Sequence, residues 1–141
     1  MEFNLDRFKK AQSSDYSVAL QEIKSGKKLS HWMWYIFPQL KDLGYSPTAK
    51  YYGIDGKEEA IAYLTDELLR SRLIEISKAL LSLETSNATE IFGYPDDMKL
   101  KSCMTLFFSV APQIDIFEKV LEKFFSGKRD EKTLDLIGTP F

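Results

Sequence analysis

Residues 30–39 read Ser30-His31-Trp32-Met33-Trp34-Tyr35-Ile36-Phe37-Pro38-Gln39, and they hold both tryptophans and the single histidine of the chain. Aromatic side chains carry the largest apolar area per residue, so a run this dense has to bury most of itself. Its polar tips (two indole N–H groups, an imidazole, a phenol and an amide) must then find partners inside the protein or on a ligand. Ser30 is placed to cap a helix over this run. Pro38 keeps that helix to one or two turns, because the residue before a proline is pushed out of the helical region. On a helix, residues two apart diverge. One of Trp32 and Trp34 is therefore expected to anchor the core and the other to face a groove.

The punctuation elsewhere is helical, with no alternating apolar–polar run of strand length and no Asn-Gly hairpin signal. Asn4 is placed to cap a first short helix, Leu5 to Gln12, and Ser13 or Ser14 to cap a second that carries Tyr16, Ala19, Leu20 and Ile23 and stops at Gly26. Ser46-Pro47 opens a short helix, with proline at the first helical position. The longest element is expected after Thr65, where Leu69, Leu73, Ile76, Leu80 and Leu83 form one stripe that Leu68, Ile74 and Leu81 widen. Asn87 caps a single turn ending at Gly93. Pro95-Asp96-Asp97 starts a helix carrying Leu100, Met104, Phe107 and Ala111, which Pro112 ends. Ile114, Phe117, Leu121, Phe124 and Phe125 define another, stopped by Gly127, and Asp130 caps a last one closed by Gly138. The reading is one all-α domain over residues 1–141, with about eight helices, several too short to stand alone.

At 141 residues such a chain buries roughly 70% of the surface its unfolded form exposes, enough for a core without staples. A formal net charge of −2 gives no global electrostatic reason to expect nucleic acid. Cys103 is the single cysteine, so no intramolecular disulfide forms, and a reducing compartment is expected. The N-terminus, Met1-Glu2-Phe3-Asn4, has no apolar core of a signal peptide, and no apolar run approaches the length of a membrane span. Cytoplasmic location is the resulting expectation.

Several residues invite chemistry. His31 has a reference pKa near 6.5, suiting a general acid/base or an anion donor, or it is a first-turn residue satisfied within the fold. Asp96 and Asp97 are weak catalytic candidates beside His31, or first-turn carboxylates that complement a helix dipole. Lys28, with Lys24 and Lys27, puts positive charge next to aromatic surface, which suits a phosphate-bearing ligand or a solvated helix end. Cys103 lacks any neighbouring base and reads as a buried thiol. One His and one Cys without ligand spacing give no metal site, and no cofactor is implied.

Asp6-Arg7-Phe8 with Ala11-Gln12, the decapeptide, Ile91-Phe92-Gly93 with Asp96-Asp97 and Lys99, and Ser102-Cys103-Met104-Thr105-Leu106-Phe107 resemble an uncharacterised family of small, mostly bacterial proteins, sometimes labelled "calpastatin". The resemblance covers nearly the whole chain, and the His-Trp-Met-Trp…Phe-Pro-Gln string is its most specific part. It implies a single multihelical cytoplasmic domain and no established activity. Calpastatin-type inhibitors are extended and disordered, whereas this chain has the apolar content of a packed core. Lys41-Asp42-Leu43-Gly44 and Thr65-Asp66 depart from the family pattern.

The leading expectation is a domain that binds a small anionic or nucleotide-like ligand, in a pocket of Lys28, His31, Trp32 or Trp34, Gln39 and Tyr51, joined by Asp96 and Lys99. The alternative is a protein-interaction or homodimerisation module in which the aromatic run is a core hub and no small ligand binds; the chain is a monomer or a homodimer accordingly. A hydrolase using His31 with Asp96 or Asp97 requires those groups within hydrogen-bond reach.

Overall fold

A single stripe of Phe8, Gln12, Ala19 and Ile23, spaced for one helix face, is buried along α1 (Asp6–Lys24). The expected break at Ser13 and Ser14 does not occur. Their hydroxyls donate to the carbonyls of Lys10 and Ala11 one turn back, at 2.8 and 3.4 Å. Each serine thus spends its hydrogen bond on the helix it sits in, instead of capping a new one. Asn4 does not cap either; Leu5 holds that position without a side-chain bond.

The computed structural model describes residues 3–138, so Met1, Glu2 and residues 139–141 of the expected domain lie outside it. Among the described residues the protein is all-α. After α1 come α2 (Met33–Ile36), a 3-10 turn (Lys41–Leu43), α3 (Pro47–Tyr51), α4 (Gly56–Thr65), α5 (Glu67–Leu81), α6 (Ala88–Phe92), α7 (Asp96–Val110), α8 (Ile116–Phe125) and α9 (Glu131–Ile137). The nineteen-residue α1, not the helix after Thr65, is the longest. No described helix is long and apolar enough to cross a membrane.

Several boundaries follow the local chemistry read from sequence. The Ser46 hydroxyl accepts from Ala49 N–H at 3.1 Å ahead of Pro47. Asn87 and Asp130 accept from Glu90 N–H and Thr133 N–H, at 3.2 and 3.0 Å. Gly93, Gly127 and Gly138 all take positive φ just past a helix end, a conformation glycine reaches without steric cost. The cap of α5 is Asp66, which accepts from Leu69 N–H at 3.0 Å.

The core is one contiguous apolar body. In it α7 packs on α8, α4, α6 and α9, while α5 bridges α1, α4 and α8. Leu69, Leu73, Ile76 and Leu80 are buried as their spacing predicts, but Leu68 is exposed, so the apolar arc of α5 is narrower than expected. Ile116, Phe117, Val120, Leu121 and Phe124 bury one face of α8. Ile114 falls in the turn before it, with its N–H bonded to the Ala111 carbonyl.

The segment from Pro38 to Asp55 forms a small platform beside α1. Lys41 N–H donates to the Ile54 carbonyl and Ile54 N–H to the Gln39 carbonyl, both at 2.9 Å, making one isolated parallel bridge. Gly53 makes this approach possible: a Cβ there would lie 2.3 Å from the Lys41 Cα. Backbone atoms cannot yield that distance, so the platform requires glycine at this position.

Candidate functional site

The aromatic run is only one helical turn, α2, flanked by Trp32 and Phe37. Phe37 leaves the helix at φ −125°, as the following Pro38 requires. Trp32 is 1% exposed and packs against Phe37 and Phe92, with ring centroids 6.3 and 6.4 Å away. Its indole N–H donates to Glu22 of α1 at 2.8 Å. The same carboxylate accepts from Leu29 N–H at 2.8 Å, Ser30 N–H at 3.0 Å and the Ser30 hydroxyl at 2.6 Å. Ser30 is therefore not a helix cap; it fastens the approach to Trp32 onto α1. The Tyr35 hydroxyl donates to Asp15, and the Gln12 amide donates to the Tyr35 carbonyl at 2.8 Å. Two of the five polar tips, the Trp32 indole and the Tyr35 phenol, are thus spent inside the protein.

Four donors on one carboxylate have an electrostatic signature. Burial alone would raise the Glu22 pKa, but the hydrogen bonds from Ser30, Leu29 and Trp32 outweigh it and bring the group from 4.5 down to about 2. A carboxylate held this low contributes stability that is full above pH 4.5 and fades as pH falls toward 2.

Trp34 points the other way, as divergence of alternate helix residues requires. Lys99 of α7 sets its ammonium 5.7 Å from the Trp34 ring centroid. Asp96, at the start of α7, pairs with Lys99 at 3.3 Å and with Lys28 at 3.0 Å. The Lys28 side chain is only 8% exposed. It lies 5.1 Å from the Trp32 ring centroid, and its backbone N–H donates to the Ile91 carbonyl at 2.8 Å. Lys28, Asp96 and Lys99 thus form one chain of charge running between the two tryptophans. Trp34, Gln39 and Lys99 line a hollow with Phe37, Ala49 and Tyr52. Its volume is about 10 Å³, room for about one water molecule. Among the described residues, no protein group takes the Trp34 indole N–H or the Gln39 amide as a partner.

Three of the expected site residues lie elsewhere. Trp32 is sealed in the core and offers a ligand no face. Tyr51 does not reach the hollow. Its neighbour Tyr52 does, because α3 ends there and turns Tyr52 inward onto Tyr35, with ring centroids 5.0 Å apart. Tyr51 instead lines an open depression of about 380 Å³ with Arg7, Lys41 and Lys50. His31 is exposed and forms no ion pair with a carboxylate among the described residues.

The carboxylates proposed as its partners are committed already. Asp96 holds two lysines, while buried Asp97 accepts from the Thr89 hydroxyl at 2.5 Å and from Met98 N–H at 2.8 Å. An acid/base pair between His31 and either aspartate is not assembled. Cys103 is fully buried, and burial pushes its thiol well above the usual range, consistent with an unreactive core residue. Among the described residues no three His, Cys, Asp or Glu side chains converge as metal ligands would.

Sequence reasoning missed the most completely bonded charged group among the described residues. Arg7 donates to Glu59 through both terminal nitrogens, at 2.8 and 3.1 Å, across 52 residues of sequence. Its remaining N–H groups go to the carbonyls of Tyr51 (2.8 Å), Gly53 (2.9 Å) and Asn4 (2.5 Å). Glu59 also accepts from Asp55 N–H at 2.6 Å. The side chains are 9% and 2% exposed. This pair clamps the platform to α1 and so fixes one wall of the hollow. Arg7 stood in a string already singled out, but nothing local links it to Glu59.

A family model, the protein of unknown function DUF1810, matches residues 2–137. Among solved structures, the crystal structure of the conserved hypothetical protein Rv1873 from Mycobacterium tuberculosis is 42% identical. The match covers 98% of this chain and 99% of that one, with a TM-score of 0.95. None of the curated proteins matches. On the strength of the family match and of the shared fold, this chain belongs to the DUF1810 family of proteins of unknown function.

Proposed function

We propose that this protein binds a small anionic ligand at the rim formed by Trp34, Gln39 and Lys99. One observation carries the reading: two lysines share a single carboxylate, leaving net positive charge beside two polar groups without internal partners. Lys99 is the accessible member, because Lys28 is held against Trp32 while Lys99 is about a quarter exposed. An ammonium beside an indole face suits a phosphate or carboxylate attached to a flat group. A hollow of about 10 Å³ admits no ring. The anionic end therefore seats at Lys99 and Gln39, and the rest of a nucleotide-like ligand lies outside, along the Trp34 face.

The test is a proton–nitrogen NMR titration with pyrophosphate and with a nucleoside diphosphate. The expected result is movement of the Trp34 indole N–H resonance with the Trp32 resonance unmoved, and affinity about tenfold weaker in Lys99→Ala. Titrations that leave Trp34 in place at about 10 mM of either probe contradict the reading.

A second reading, a homodimer seam, draws on the exposure of Leu29 and Tyr94, which follow Lys28 and precede Pro95 on the two segments that the Lys28–Asp96 pair joins. Sedimentation across a dilution series separates the two: a dimer lost in Leu29→Ser or Tyr94→Ser supports the seam, and a monomer throughout removes it.

A further inference from the structure

The far end of α7 holds a second concavity that owes nothing to the aromatic run. Phe108 and Ser109 from α7, Pro112 just beyond it, Arg129, and Leu134 from α9 line an apolar hollow of about 270 Å³. Arg129 and Leu134 are also walls of an adjoining depression that Lys101 and Lys128 border. The two concavities therefore share Arg129 and Leu134 as a common wall.

Arg129 is presented on a fixed support. Ser126 and Gly127 take left-handed backbone conformations at φ 56° and 78° and reverse the chain after α8. Asp130 N–H then donates to the hydroxyl of buried Thr105 at 2.9 Å, and the Asp130 carboxylate caps α9 through Thr133. The guanidinium lies 4.5 Å from the Phe108 ring centroid. Among the described residues Arg129, Lys101 and Lys128 form no ion pair, and Glu131 is the one acid among the lining residues. A stacked guanidinium with open N–H groups is a bidentate receptor for a planar anion, and carboxylate has the matching geometry.

We infer that this groove is a binding site for a small amphipathic carboxylate, with its apolar body in the hollow between α7 and α9 and its carboxylate on Arg129. Charge complementarity selects an anion, and the apolar lining selects one with a hydrocarbon or aryl body. At about 270 Å³ the hollow falls just below the range of drug-sized pockets, which limits the body to a short acyl chain or a single ring. Serine adds no polar demand at the floor, because the Ser109 hydroxyl already donates to the Thr105 carbonyl at 2.7 Å.

The experiment is an NMR titration of the full chain with acetate, octanoate and phenylacetate, repeated on Arg129→Gln. Arg129 is exposed, so this variant folds as the parent does. Expected are shifts centred on Phe108, Ser109, Arg129 and Leu134. Octanoate and phenylacetate should bind at least about tenfold more tightly than acetate, since each buried methylene contributes roughly fourfold. Arg129→Gln should weaken octanoate about tenfold with the melting temperature unchanged. Acetate binding as well as octanoate, affinity indifferent to Arg129→Gln, or no shifts at this groove would each overturn the inference. Shifts confined to Trp34 and Lys99 would overturn it too, while leaving the anion site at that rim standing.

Discussion

Glu59→Ala is expected to cost about 3–5 kcal/mol, because removing one partner of a buried ion pair strands the other. That is a large share of the roughly 5–15 kcal/mol that holds a typical domain folded. Arg7 uses every guanidinium N–H, two on the Glu59 carboxylate and three on backbone carbonyls of Tyr51, Gly53 and Asn4. With Glu59 gone, a cation 9% exposed keeps its desolvation cost and loses its counter-charge. Asp55 N–H loses its acceptor in the same step. Arg7→Lys should also be damaging, since an ammonium with three N–H groups cannot serve the five acceptor oxygens that the guanidinium fork reaches. Urea unfolding of Glu59→Ala, Arg7→Ala and the double variant is the check. The double variant should lose less than the sum of the singles, the mark of direct coupling. A loss below about 1 kcal/mol in Glu59→Ala would place the pair among ordinary surface bridges and contradict its role as the clamp.

Trp32→Ala is the second large effect, at about 3–5 kcal/mol. The substitution empties the space between Phe37 and Phe92, and it removes one of the four donors to Glu22. Trp32→Phe separates these contributions, because it keeps most of the ring volume and deletes only the N–H. Its expected cost is about 1.5–3 kcal/mol, the range of a hydrogen bond to a charged group. Chemical denaturation of both variants gives the ordering. Equal losses in Phe and Ala would mean that packing at Trp32 contributes nothing, and that outcome would remove the aromatic segment as the centre of the core.

What was legible in the sequence was what neighbours in sequence decide. The stripe Leu69, Leu73, Ile76 and Leu80 and the caps at Ser46, Asn87 and Asp130 depend on contacts within a turn, and they lie where the pattern put them. The opposite orientations of Trp32 and Trp34 were legible for the same reason. Serine was the ambiguous letter: Ser13 and Ser14 satisfy themselves inside a helix, and Ser30 reaches back eight residues to Glu22 instead of capping α2. Choosing among those outcomes needs the tertiary position of the chain. The same holds for Arg7 with Glu59, whose partnership exists only once the platform folds onto α1. At the candidate site, the sequence reading grouped Lys28, His31, Trp32 or Trp34, Gln39, Tyr51, Asp96 and Lys99; the structure brings Trp34, Gln39 and Lys99 to one hollow with Tyr52 in place of Tyr51, keeps Lys28 and Asp96 beside Lys99, buries Trp32 and leaves His31 on the surface. Sequence carried no information on the volume of that hollow, which is set by Ala49, Phe37 and Tyr52 closing together.

The division of the aromatic run into a sealed half and an open half is measured most directly by hydrogen exchange at the two indole N–H groups of the intact protein. At neutral pH the Trp32 N–H, bonded to Glu22 in the core, should exchange at least about a hundredfold more slowly than the Trp34 N–H. As pH falls from 4.5 toward 2 and Glu22 takes up a proton, the free energy that protects Trp32 should shrink. Equal exchange at Trp32 and Trp34 at neutral pH, or protection of Trp32 in place of which Trp34 is the slower, would contradict the account.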